Sequence, residues 1–219
     1  MTASYTMGAS DAMRASYAMN SSIRVSCAVI ATLSGVLLAA CGSSPPTRFY
    51  SLEPTAPVEP APPTMQAPIK VDAVHIPSVL DRKQIVTGEQ NYQLRIASQE
   101  RWGGDFGEMV RRVLTQDLQK RLPAGMIVGP DNNAPADARG VVVDILSFAP
   151  QGSVVELDAD WVLLQGSPPH TVLHHALHLS APFQGSVASQ AAVMSQLVGR
   201  LADDVAKAVQ APAAASGGA

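Results

Sequence analysis

The chain has 219 residues, with 15 Lys and Arg against 18 Asp and Glu and a formal net charge of -3. Because the two signs are interspersed, there is no electrostatic footprint for nucleic acid or for an anionic bilayer surface. A hydrophobic content of 47% is enough for a core, and removal of an N-terminal leader still leaves a length typical of one domain.

That leader comes first. Arg24 precedes an apolar run from Val25 to Leu38, followed by Ala39-Ala40 and then Cys41. A basic start, an apolar stretch of roughly 7 to 15 residues and small residues before the cut make an export signal. Leu38-Ala39-Ala40-Cys41 is a lipobox: cleavage falls between Ala40 and Cys41, the Cys41 thiol carries diacylglycerol and the freed amine takes a further acyl chain such as palmitate. A membrane-spanning helix needs about 20 apolar residues, and Val25 to Ala40 is shorter and interrupted by Ser26, Thr32, Ser34 and Gly35. Met1 to Ala18 has no signal character, and a start at Met19 gives the more ordinary leader. Residues 1–40 are therefore set aside as a signal peptide. Cys27 leaves with them and Cys41 is consumed by lipid, so folding rests on packing without disulfides or any other cofactor. Each buried methylene contributes about 0.8 kcal/mol and one chain alone binds marginally, so two or three acyl chains make the attachment lasting.

Residues 41–47 read as a tether, about 20 Å long at full extension. Arg48 to Leu52 is a short aromatic strand, and the Pro-rich stretch 53–68 is an extended connector, because proline lacks an amide donor and fixes its own backbone angle. Ile69 to Ile76 alternates as a strand ending at Pro77. Gln84 to Thr87 and Tyr92 to Ala97, joined through Gly88-Glu89-Gln90-Asn91, form a hairpin. Asp105 with Glu108 three residues on starts a helix whose stripe is Phe106, Met109/Val110, Val113/Leu114, Leu118 and Leu122, stopped by Pro123 and Gly125. Val141 to Phe148 is apolar on both faces, which predicts a central strand covered on each side. Val155 to Leu163 has one apolar and one acidic face, and Thr171 to Ser180 alternates again. Ser186 caps a last helix with the stripe Val187, Ala191, Met194, Leu197/Val198, Leu201, Val205 and Ala208/Val209, and 211–219 is a small-residue tail expected to be disordered.

Four segments then line up in order: the lipobox with Cys41-Gly42-Ser43-Ser44-Pro45-Pro46 running into Arg48-Phe49-Tyr50-Ser51-Leu52; Ile76-Pro77-Ser78-Val79-Leu80-Asp81-Arg82-Lys83-Gln84-Ile85-Val86; Glu100-Arg101-Trp102 before a helix; and Val113-Leu114 with Asp117-Leu118 leading to Arg121-Leu122-Pro123. Together they resemble the PqiC (YmbA-like) family of auxiliary lipoproteins for ABC-type and MCE-type transport. The resemblance covers 48–210 and implies a single α/β domain, a mixed β-sheet with two main amphipathic helices packed on it. It also implies a lipoprotein on the periplasmic face of the outer membrane that meets an MCE-domain (PqiB-like) protein, as a ring-shaped homo-oligomer. Gly42 after the lipidated cysteine fits outer-membrane sorting, where Asp would argue for inner-membrane retention.

Residue chemistry was weighed beside this. His170, His174, His175 and His178 crowd together, but on a strand His174 and His178 lie about 13 Å apart, too far to share a metal held at about 2 Å from each. Asp158 and Asp160 are about 6.6 Å apart on one strand face and have no companion nucleophile, so no catalytic residue is assigned. Asp81, Arg82, Gln84, Arg101 and Trp102 are the candidates for partner contact, since Arg and Trp are enriched among interface anchors. The local alternative is that Asp81 and Arg82 set a turn and Trp102 packs under the first helix. The expected function is a non-enzymatic component of a lipid-transport apparatus that supports envelope integrity. A lipid-anchored hydrolase or metal-dependent enzyme and a free-standing structural lipoprotein are its rivals.

Overall fold

The computed structural model of the chain describes residues 45–57, 67–90 and 93–211. The expected signal peptide, the lipobox with Cys41, residues 58–66 of the connector, the turn at 91–92 and the tail from 212 lie outside the described residues.

Eight strands and two helices follow in the order β1 (Arg48–Tyr50), β2 (Ile69–His75), β3 (Gln84–Gln90), β4 (Gln93–Trp102), α1 (Phe106–Arg121), β5 (Ile127–Val128), β6 (Arg139–Gln151), β7 (Val154–Gln165), β8 (His170–Pro182) and α2 (Val187–Gln210). They make two mixed sheets, a three-stranded one in the order β1-β4-β3 and a five-stranded one in the order β5-β2-β6-β7-β8. The antiparallel pairs β6–β7 and β7–β8 are joined by tight turns, whereas β2 lies parallel to both β5 and β6. Parallel neighbours need a long crossover, and α1 supplies one between β4 and β5.

Both helices start where a side chain replaces the missing intrahelical acceptor. Asp105 Oδ1 accepts from the Glu108 amide at 3.0 Å, and Ser186 Oγ accepts from the Ser189 amide at 3.1 Å. Their apolar stripes pack on one face of the large sheet, burying Phe106, Val110, Leu114 and Leu118 from α1 and Met194, Leu197, Leu201 and Val205 from α2 against Val141, Val143, Leu157 and Trp161.

The opposite face of that sheet is open among the described residues, which corrects the expectation that β6 is covered on both sides. The register between β6 and β7 shifts between Ile145 and Ser147. Leu146 is the extra residue of this bulge and is 61% exposed. Ahead of the bulge the inward positions are Val141, Val143 and Ile145; beyond it they are Phe148 and Pro150. Two inward phases laid end to end read, in sequence, as one strand that is apolar all round.

The start of the connector is fastened to the helix pair. Arg121 is 4% exposed and Asp117 0%. The Arg121 guanidinium reaches Asp203 Oδ1 at 2.7 Å and donates to the carbonyls of Thr55 and Ala56, while the Thr55 amide donates to Asp117 Oδ1 at 2.6 Å. Burial pushes the Asp117 carboxyl above its ordinary value of 3.8, against the lowering pull of the Thr55 amide and of Arg121. Gly199 on α2 leaves the notch that admits Thr55: a Cβ there would fall inside the van der Waals shell of Thr55 Oγ1.

Candidate functional site

The residues singled out for partner contact gather around the small sheet and the turn that leads into it. Leu80 and Asp81 donate their amides to the Pro77 carbonyl, at 2.8 and 3.3 Å, and buried Leu80 pins this turn to the core. Asp81 and Gln84 are exposed and Arg82 is half-buried, its Nε without an acceptor among the described residues. Arg101 lies opposite Gln84 on one side and Phe49 on the other. Its guanidinium is turned back on its own strand, donating to the carbonyls of Ala97, Ser98 and Glu100 at 3.1, 2.9 and 3.0 Å. Those carbonyls belong to a stretch where β4 gains residues relative to β3, so the cation satisfies acceptors that the interrupted ladder leaves without partners.

Trp102 is 5% exposed and stacks on Phe106 with ring centroids 4.8 Å apart. It packs under α1 and offers no surface, so of the five positions Asp81, Arg82 and Gln84 are the ones a partner can reach. A pocket of about 200 Å³ beneath them is lined by Leu80, Gln84, Val86, Trp102, Phe106, Phe148, Gln190 and Met194. Typical small-molecule sites begin at about 300 Å³, and the buried Gln190 amide in this one is occupied by the Val86 carbonyl at 2.8 Å.

The histidines take up carboxylates one by one. On the open face of the large sheet His75 Nδ1 meets Asp144 Oδ1 at 2.6 Å, His178 Nδ1 meets Asp158 Oδ1 at 2.5 Å, and His174 Nε2 stands 4.0 Å from Asp160 Oδ2. The hydrogen bond and charge of Asp158 raise the His178 pKa above 6.5. On the helix side His175 Nδ1 and Trp161 Nε1 share Asp204 Oδ2, at 2.7 and 2.9 Å, which satisfies the indole of a fully buried tryptophan. Among the described residues no three His, Cys, Asp or Glu side chains come together as a metal-binding set.

Sequence reasoning did not find the pairing of His75 with Asp144, which needs the parallel β2–β6 register, or the Asp117–Arg121–Asp203 cluster. The spacing of Asp117 and Arg121, four apart on a helix with apolar neighbours, was the available signal. No helix among the described residues is long and apolar enough to cross a membrane.

Similar folds occur in solved structures. One, described only as an uncharacterized protein, superposes with a TM-score of 0.63 at 17% identity, covering 75% of this chain and 99% of its own. Another, from Xanthomonas campestris, gives a TM-score of 0.59 at 14% identity and covers 72% of this chain and 92% of its own. No curated protein matches the chain. The family model described as the ABC-type transport auxiliary lipoprotein component matches residues 50–206, nearly all of the folded part, and the chain belongs to that PqiC (YmbA-like) family.

Proposed function

We propose that this chain is a non-enzymatic outer-membrane lipoprotein of an MCE-type intermembrane lipid-transport system. It would be held by diacylglycerol and an N-acyl chain on Cys41 and dock a periplasmic MCE-domain (PqiB-like) protein at that membrane, as one subunit of a ring. Membership of a family of transport auxiliary lipoproteins over residues 50–206 is the observation that carries the reading. The site geometry supports it: the reachable candidates Asp81, Arg82 and Gln84 sit on a turn pinned by Leu80, a rigid mount for contact with another protein. The acyl chains supply the membrane attachment, and the surface turn supplies the docking contact.

The test is co-purification of the tagged, acylated protein with an MCE-domain protein from crosslinked envelopes. Recovery of that partner is expected, with weaker recovery from an Asp81→Lys, Gln84→Lys variant that remains folded. Cys41→Ser should leave the protein soluble or signal-bound, and unchanged outer-membrane fractionation of that variant would refute the anchor.

A further inference from the structure

We infer that the β1-β4-β3 sheet rests on the bilayer that holds the lipid anchor, with Phe49, Leu94 and Ile96 entering the boundary between headgroups and acyl chains. This contact rests on the acylation of Cys41 proposed above.

The exposed large hydrophobic side chains are unevenly shared. Phe49 at 70%, Leu94 at 41% and Ile96 at 41% all belong to the three-stranded sheet, which has only 20 residues in its strands, while the much larger second sheet shows Leu146 and Val172. Isolated exposed apolar residues need no explanation, but a concentration on one small element marks an interaction surface. The length of chain leading to the anchor says which surface this one meets. From Cys41 to Arg48 there are seven residue steps, so the lipidated residue lies within about 24 Å of β1 even when the tether is fully stretched. From Gln84 to the end of β3 at Gln90 there are six steps, so the hairpin reaches at most about 20 Å from the same sheet. The two lengths are nearly equal, and any slack in the tether draws the sheet into the headgroups. Phe49 is the second residue of β1, next to the point where the tether begins.

The contact is apolar and does not need a basic field. Arg48 and Lys83, both exposed, flank Phe49 and Gln84 and can extend their charged ends toward phosphate oxygens while their stems lie against the interface. An amphipathic surface of this kind adds to an acyl anchor and fixes how the domain stands on its membrane.

The experiment uses the full mature protein, acylated in cells and reconstituted into nanodiscs of phosphatidylethanolamine and phosphatidylglycerol. Single cysteines replace Phe49, Leu94 or, as a control on the open face of the large sheet, Ala176. With Cys27 removed and Cys41 acylated, each new thiol is the only one free for a nitroxide. The expected result is that labels at 49 and 94 are relaxed several-fold more by oxygen than by a water-soluble nickel chelate, relative to the label at 176. Equal nickel access at all three sites, in protein shown by mass spectrometry to carry acylated Cys41, overturns the contact and leaves the anchor standing. Shielding from both reagents at 49 and 94 assigns the surface to a protein, such as a second copy, and also overturns it. An unacylated Cys41 removes the anchor, and the contact falls with it.

Discussion

Arg121 holds together three pieces of chain that would otherwise meet only through apolar packing: α1 through Asp117, α2 through Asp203, and the arm through the carbonyls of Thr55 and Ala56. Removing one partner from a buried ion pair strands the other, typically at about 3 to 5 kcal/mol. Arg121→Ala should therefore destabilise the fold by about 3 kcal/mol in urea melts. The deficit should depend on pH. Burial already raises the Asp117 pKa above 3.8, so its contribution to stability falls as pH rises from 3.8 through the folded-state value. Arg121 restrains that rise, and without it the window widens upward; the variant should lose more at pH 7 than at pH 4. His178 behaves with the opposite charge. Asp158 raises its pKa above 6.5, so the stabilisation from this pair is complete below 6.5 and fades as pH climbs through the folded value. A histidine NMR titration should give His178 a midpoint above 6.5, and Asp158→Asn should bring it down; a midpoint unmoved by Asp158→Asn would break the assignment.

Among the elements, the helices were the most legible in the sequence, because each carries its own start signal and a stripe of constant period. Asp105→Ala should test how much the first signal contributes, with an expected loss of about 1 kcal/mol in thermal or urea unfolding, since the Glu108 amide would lose its acceptor. The acidic outer face of β7 could be read equally well, because nothing disturbs its alternation from Val155 to Leu163. β6 could not, because one inserted residue at Leu146 reverses which parity faces inward, and single-residue bulges leave no mark in composition. The candidate site was legible in part for a similar reason. The right turn and strands were found, but Arg101 and Trp102 were chosen by residue type. Burial beneath α1 and the carbonyls of β4 decide what those two side chains do.

At the scale of the whole molecule, two sheets share one core while presenting different outer surfaces. The large sheet shows single His–Asp pairs, and the small sheet shows Phe49, Leu94 and Ile96. The family match tracks the shared core, spanning residues 50–206 from the end of β1 into α2. The partner-facing surface sits at neither the sheet centres nor a cavity, which is why spacing arguments aimed at catalysis found nothing to assemble there.

The missing side chain at Gly199 has a consequence for distance. Alanine is a better helix former than glycine by about 1 kcal/mol, yet Gly199→Ala would evict Thr55 and unfasten the arm that Arg121 grips. Limited proteolysis should then cut between Glu53 and Pro57 much faster than in the parent, with α1 and α2 still protected. β1 is three residues long, so an arm no longer gripped behind it could peel away altogether. The leash between Cys41 and Ile69 would then run to about 95 Å at full stretch. One absent methyl group thus sets how far the domain can wander from the membrane surface.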